Sequence, residues 1–362
     1  MNRWFLHCVL IAVGILAFPL ICPAPIIFRP GEGWNYEPVG SEGKWTRNRA
    51  KDQLQVAKEA FERKDYRTSQ KAARRVIKVW PLSDYAGEAL YYLGRSYEAR
   101  GIDQQAFKQY QRVLTRYPKA TNYDEILKRQ FAIANRFLGG ARFRLFGYIP
   151  FLPSMDKTAK YFEDIVRNGP YYETGPQAQM SIGAAREKKK EYDKAVIAYR
   201  RAVERYHDWP EVASEALYKQ GLAYNKQAKR AEYDQSVASE AIATFQDFRE
   251  LYPKDKRVAE TDELITSLKT EQARGAFQTA KFYEKSRRWQ GAVVYYNEVL
   301  IHDKDSTFAA EARERIARLQ PRADAAAKRR ADADKEWRDR RRAAQERPTE
   351  LAPPNLNDPD RR

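Results

Sequence analysis

The chain has 362 residues and a formal net charge of +17, and charged side chains make up 32% of it. Both of its cysteines, Cys8 and Cys22, lie near the N-terminus, so disulfides, zinc fingers and cysteine nucleophiles are excluded from the rest of the chain. Because the basic residues are interspersed with Asp and Glu throughout, the charge is typical of a solvated surface and not of a nucleic-acid-binding patch, and a surface that faces a membrane or an acidic partner is the alternative.

The first segment, residues 1–24, has a basic residue at Arg3, an apolar run from Trp4 to Ile21, and small residues after it. This order predicts a secretory signal peptide, and the apolar run is also close to the minimum length of a membrane anchor. Cys22 is a candidate for lipidation, although Ile21 stands where a bacterial lipobox has a small residue. We expect an exported protein, and cleavage, acylation of Cys22 and retention of the anchor remain alternatives.

Residues 25–50 are rich in proline, glycine and aromatic side chains, which predicts an extended arm and not a regular helix or central strand. Aromatic side chains in such a segment indicate docking, either on the chain's own first repeat or on a partner. Trp34 and Tyr36 are therefore candidate partner contacts.

One spacing recurs within residues 51–320. Ala106, Tyr110 and Val113 lie at offsets of 0, 4 and 7, which places them on one face of a helix that Pro118 ends. The same ladder, complete or with one or two changes, starts at these residues: Ser69, Thr158, Ala195, Ala241 and Ala292. We therefore predict an all-α fold, an α-solenoid of about six helix hairpins whose ladder residues form the core.

The second of these hairpins carries the signature of a tetratricopeptide repeat. The residues on the signature spacing are Leu90, Leu93, Gly94, Tyr97, Ala106, Tyr110, Val113 and Pro118. Gly94 is expected to let the second helix of the hairpin approach closely. Because the small and aromatic ladder residues are expected in the core, they explain the fold and not the binding.

Residues 139–153 interrupt the third repeat with an aromatic, apolar and basic segment broken by glycine and proline. No GK[ST] follows its paired glycines, so a phosphate loop is not expected. The segment is either a loop buried against the solenoid or an exposed patch for a membrane or a protein. If it is exposed, the candidate contacts are Arg142, Phe143, Arg144, Phe146, Tyr148 and Phe151.

The last segment, residues 321–362, is dominated first by Ala, Arg, Lys, Asp and Glu and then by proline and polar residues. This composition predicts a charged helix followed by a disordered tail.

A turn motif between the repeats narrows the family. The motif W-P-L-S-x2-A-x2-A starts at Trp80, and part of it recurs from Asp305. The first hairpin also follows closely after the export leader. Residues 50–320 resemble the BamD (YfiO) family, the tetratricopeptide lipoproteins of outer-membrane β-barrel assembly. A similar turn occurs in the CpoB/YbgF proteins of the Tol–Pal system. The BamD resemblance implies a periplasmic scaffold that binds the β-barrel assembly machinery.

No catalytic, cofactor or metal site is expected. The two histidines outside the leader, His207 and His302, lie near hairpin ends, and the acidic residues form no distinctive cluster. We predict a non-catalytic scaffold that binds protein partners in the periplasm or on the periplasmic face of the outer membrane, with no nucleic acid and no small-molecule substrate. Contact with the outer-membrane surface and an adaptor role in another envelope machine (Tol–Pal, cell wall or secretion) are the remaining alternatives.

Overall fold

Thirteen α-helices and two β-hairpins make up the part of the chain that the structure describes. They divide into two compact units, Met1–Lys190 and Glu191–Arg362. The computed structural model describes residues 26–36, 43–118, 122–145, 149–150, 153–230 and 235–345, so the leader with Cys22 lies outside it.

In the first unit each helix packs against the helix that follows it in the sequence. The elements are β1 (Ile26–Arg29), β2 (Gly33–Tyr36), α1 (Ala50–Glu62), α2 (Tyr66–Val79), α3 (Tyr85–Ala99), α4 (Asp103–Arg116), α5 (Tyr123–Leu138), β3 (Arg144–Leu145), β4 (Ile149–Pro150), α6 (Met155–Asn168) and α7 (Thr174–Lys188).

The second unit follows the same rule of packing between consecutive helices. Its elements are α8 (Tyr192–Arg205), α9 (Pro210–Arg230), α10 (Gln235–Leu251), α11 (Val258–Lys285), α12 (Trp289–His302) and α13 (Thr307–Gln345). In chain order the six predicted hairpins correspond to α1 to α12 taken in pairs, and the fourth pair, α7 and α8, is divided between the two units.

The ladder residues form the core of both units. A single helix of this length is marginal in water, so the burial of these faces is what stabilises the hairpins. The prediction of an all-α, tetratricopeptide-like solenoid is confirmed. The buried ladder residues are Ser69, Ala73, Val76, Ala106, Tyr110, Val113, Thr158, Phe162, Ile165, Ala195, Tyr199, Ala202, Ala241, Phe245, Phe248, Ala292, Tyr296 and Val299.

Glycine at the helix crossing is a packing requirement. A Cβ placed on Gly94 would lie 2.6 Å from Cε1 of Tyr110, and one on Gly221 would lie 2.5 Å from Cε1 of Phe245. Both distances are far below van der Waals contact. The aromatic ring of the second helix therefore occupies the space that any side chain on the first helix would need.

Two terminal segments differ from what the sequence predicts. The arm is not simply extended, because β1 and β2 form a hairpin whose turn residues Gly31 and Gly33 have positive φ angles. At the other end, α13 continues through Pro321 and joins the sixth repeat to the charged segment in one helix. Proline removes one helical hydrogen bond, but Leu319 and Ala323 on either side of it are buried in the core and hold the helix in place.

Candidate partner-binding site

The turn of the N-terminal hairpin docks on the chain's own first repeats. Gly31 and Gly33 have φ angles of +80° and +77°, which glycine adopts without strain. The Gly31 carbonyl accepts a hydrogen bond from the Asp84 backbone N–H at 2.9 Å. The Glu32 carboxylate accepts one from the Lys51 backbone N–H at 3.3 Å. These contacts hold the turn at the N-terminal ends of α1 and α3.

Two aromatic side chains of the same hairpin, those of Phe28 and Trp34, remain open to solvent. Phe28 and Trp34 pack against each other with ring centroids 5.3 Å apart, yet 56% and 72% of their surfaces are exposed. Tyr36 lies in β2, paired with Ile26 of β1. An exposed aromatic pair on a fixed hairpin is the kind of anchor that protein interfaces use. The hairpin thus docks on the chain itself and still presents Trp34 outward.

The insertion of the third repeat is anchored by Phe143. This side chain is only 2% exposed, and its ring stacks on Phe137 at 4.1 Å between centroids. Tyr161 meets both rings edge-on and stacks on Phe107 at 3.8 Å. Burial raises the pKa of Tyr161 to about 12. Phe143 is therefore a core residue and is not available as a direct partner contact.

Two lysines fix the start of the insertion further. Lys188 Nζ donates a hydrogen bond to the Leu138 carbonyl at 2.6 Å, and Lys157 Nζ lies 5.4 Å from the centre of the Phe143 ring. Arg142 is exposed directly beside this anchor. The structure thus combines the two interpretations of the segment, since one aromatic residue is buried and its basic neighbour faces solvent.

The other predicted contacts are partly or wholly outside what the structure describes. Arg144 lies in β3, where its backbone pairs with Pro150 of β4. Phe146, Tyr148 and Phe151 fall outside the described residues, as Cys22 does.

Sequence reasoning missed a set of exposed apolar residues in the turns between repeats. Leu82 is 96% exposed and follows Pro81, and Tyr171 is 72% exposed and follows Pro170. Both stand directly after the proline that ends a second helix. An apolar residue at this position, one residue after the ladder, could have been identified from the sequence as a surface residue. The ladder itself indicates only the core residues.

Sequence reasoning also missed a partly buried polar clasp, which we call the first junction, where the second hairpin meets α5. Tyr110 donates a hydrogen bond to Glu98 at 2.7 Å, and Arg129 donates to Glu98 at 3.3 Å and to Glu125 at 2.8 Å. Burial first, and then the charge of Glu98, raises the pKa of Tyr110. This clasp links both helices of one hairpin to the first helix of the next.

The same clasp recurs in the second unit, where the sixth hairpin meets α13, and we call it the second junction. Tyr296 donates to Glu284 at 2.7 Å, and Arg315 donates to Glu284 at 3.1 Å and to Glu311 at 3.0 Å. Arg318 adds a further bond to Glu284 at 2.7 Å. Burial opposes the charge of Glu284, but the tyrosine hydroxyl and the two arginines outweigh it and lower the pKa of this carboxyl.

Within the described residues, no group of three or more His, Cys, Asp or Glu side chains is arranged to hold a metal ion. Among the described helices, none is both long and apolar enough to cross a membrane.

The sequence matches two family models. Residues 153–333, half of the 362-residue chain, match the model of the YfiO family, which is described as an outer membrane lipoprotein. Residues 88–120, which include most of α3 and all of α4, match the tetratricopeptide repeat model. No curated protein matches the sequence.

Solved structures with a similar fold include the C-terminal part of a tetratricopeptide repeat-containing protein from Cytophaga hutchinsonii, with 18% identity over 74% of this chain and 88% of that chain and a TM-score of 0.33. MamA has 16% identity over 57% and 92%, with a TM-score of 0.32. PilW, a type IV pilus biogenesis factor, has 15% identity over 74% and 99%, with a TM-score of 0.25. Because these TM-scores are low, the three structures support no inference about function.

Proposed function

The chain belongs to the YfiO family of outer membrane lipoproteins and is a tetratricopeptide protein-interaction scaffold, and from this premise we propose that it acts in the assembly of outer-membrane β-barrel proteins. It would do so in the periplasm or on the periplasmic face of the outer membrane, without catalysis, by binding the β-barrel assembly machinery. The observation that carries this proposal is the family match, which extends over residues 153–333 and so over most of the last four repeats.

The exposed residues of the first unit support a scaffold role. Trp34 and Phe28 form an exposed aromatic pair on a hairpin whose turn is held by the repeats. Such rigid aromatic anchors are typical of binding hot spots. Arg142 beside the buried Phe143, and the exposed Leu82 and Tyr171, are further proposed contacts.

Purification of the tagged full-length protein from native envelopes in mild detergent, with quantitative mass spectrometry, tests the function. We expect a β-barrel insertase among the enriched proteins. Trp34→Ala should reduce its recovery severalfold, because hot-spot aromatics carry much of the binding energy. Trp337→Ala is the matched control, since this tryptophan is also exposed but lies on the charged part of α13.

The outcomes separate the alternatives. Enrichment of Tol–Pal, cell-wall or secretion proteins without an insertase would overturn the proposed assembly role and favour an adaptor of another envelope machine. Equal recovery with Trp34→Ala and Trp337→Ala would refute the arm as a contact. The mass of the N-terminal peptide of the same sample reveals whether Cys22 is acylated, as the family description supports.

A further inference from the structure

The two junctions are related by a constant shift along the sequence. Glu98, Tyr110, Glu125 and Arg129 of the first junction have their counterparts 186 positions later, in these residues: Glu284, Tyr296, Glu311 and Arg315. The hydrogen bonds correspond as well, since both tyrosines donate to their glutamates at 2.7 Å. The first junction is therefore a reference for what the second one contains and lacks.

One carboxylate is missing from the second junction. In the first, Arg136 donates to both oxygens of Asp103 at 2.8 and 2.9 Å. The residue at the position of Arg136 is Arg322, but Trp289 stands at the position of Asp103. The Arg322 guanidinium lies over the Trp289 ring at 5.4 Å, and it forms no ion pair or hydrogen bond with any residue that the structure describes.

Two cations have been added at the same place. Lys285 and Arg318 replace Ala99 and Ala132 of the first junction. In the first junction three cations (Arg95, Arg129 and Arg136) face three carboxylates (Glu98, Asp103 and Glu125), which leaves no net charge. In the second, five cations face Glu284 and Glu311, a net of +3. The five are Lys281, Lys285, Arg315, Arg318 and Arg322.

These cations surround an open cavity. Its volume is ≈ 550 Å³, and all five cations line it together with Trp289 and Leu319. Arg318 keeps 51% of its side chain exposed, although it donates to Glu284. The cavity therefore offers guanidinium and ammonium groups to a ligand, beside an apolar surface.

We propose that this cavity binds an acidic peptide segment of a partner protein, with at least two Asp or Glu side chains close together and an apolar residue beside them. Carboxylates are the expected ligands because Arg136, which occupies the position of Arg322 in the first junction, binds a side-chain carboxylate there. A guanidinium binds both oxygens of a carboxylate at once, which gives direction as well as energy. The apolar residue of the peptide packs against Trp289 and Leu319.

This inference rests on the proposed scaffold function, but its test is independent of it. The probe is a fluorescein-labelled peptide in which two Asp-Glu pairs flank a phenylalanine, and its twin has Asn and Gln in their place. The full-length protein is titrated against both, and fluorescence anisotropy is measured at low and at physiological salt. We expect binding of the acidic peptide only, with an affinity that falls as salt rises.

Two variants test the location. Lys285→Ala/Arg318→Ala restores the residues of the first junction and should weaken binding about tenfold. Trp289→Asp supplies the missing carboxylate from the chain itself and should weaken binding at least as much, by occupying Arg322. The matched control is Lys254→Ala/Lys256→Ala, which removes the same charge from an exposed turn outside the cavity. Circular dichroism verifies that each variant is folded.

Several results would contradict the proposed binding site. Equal loss in the control double variant would mean general attraction to a basic protein and would overturn the site. Equal binding of the amide twin, or no binding of the acidic peptide, would do the same. Binding of phosphatidylglycerol vesicles that depends on Arg322, without binding of the peptide, would assign the cavity to a membrane surface instead. Because the sample contains no other envelope protein, failure of the β-barrel role leaves this result unaffected.

Discussion

The first junction joins the second hairpin to α5, and the second junction joins the sixth hairpin to α13. Both close on a buried tyrosine that donates to a glutamate, and both attach an arginine of the next helix to that glutamate. They differ at the periphery, where Asp103 gives way to Trp289 and two alanines give way to Lys285 and Arg318. The inner contacts therefore build the repeat, whereas the outer positions can take on a binding role without disturbing it.

The junctions also differ at the crossing of their hairpins. Gly94 of α3 faces the ring of Tyr110, and a Cβ there would lie 2.6 Å from that ring. The second junction has Ala280 at the same position, so its helices already accommodate a Cβ. The second hairpin therefore depends on glycine at this crossing, and the sixth does not.

The largest effect that we predict is that of Gly94→Ala. The methyl group forces the Tyr110 ring or the helix to move, and overpacking of this kind costs about 1–3 kcal/mol in unfolding free energy. Chemical denaturation measures the loss, and hydrogen exchange should place it in α3 and α4. Ala280→Gly is the counterpart, and it should cost only about 1 kcal/mol, mainly through helix propensity. Equal costs at the two positions would remove this difference between the junctions.

The charge at the centre of the second junction provides the next prediction. Glu284→Gln keeps the shape but takes the counter-charge from Arg315 and Arg318, and we expect it to cost about 1–2 kcal/mol at neutral pH. Glu98→Gln is the matched variant, since the two carboxyl side chains are similarly shielded, at 17% and 18% exposed. Denaturation at neutral pH should show comparable losses.

The pH dependence of this effect has a definite sign. The pKa of Glu284 in the folded protein is lowered from its ordinary value of 4.5. Its ionisation therefore stabilises the fold above that value, and the contribution is lost as pH falls through the lowered pKa. The difference between wild type and Glu284→Gln should be largest near pH 7 and shrink below about pH 4.5. A difference that is constant between pH 7 and pH 3 would contradict this account.

The sequence predicted the fold because the ladder repeats. A proline, a small residue and an aromatic at helical spacing specify one hairpin, and hairpins of this kind stack in one way. The left-handed turn residue was readable only where it is glycine, at Gly101. Arg287 occupies the equivalent turn with a φ of +55°, and an arginine in the sequence does not predict this left-handed conformation. Local sequence therefore gives the helices but not every turn.

The candidate contacts were harder to predict, because spacing says nothing about which aromatic residue becomes buried. Trp34 and Phe143 both lie in glycine-containing segments outside the helices, yet the first is exposed and the second is in the core. The fate of Phe143 depends on Phe137 and Tyr161, and Tyr161 is distant in sequence. The second junction could not be predicted for a different reason. The absence of a carboxylate there is recognised only when its residues are compared with those of the first junction.

The smallest effect concerns the outer ion pair that distinguishes the junctions. Asp103→Asn and Arg136→Gln, singly and together, form a double-mutant cycle for a pair whose arginine is 43% exposed. We expect a coupling of about 0.5 kcal/mol that shrinks as salt is added, because exposed pairs are weak and screened. Arg322→Gln should be nearly neutral in the absence of ligand, since Arg322 binds no carboxylate among the described residues. A stability loss from Arg322→Gln as large as that from Arg136→Gln would mean that Arg322 already stabilises the fold through contacts within the chain. The outer positions of the second junction would then have a structural role, and the guanidinium of Arg322 would not be available to a partner.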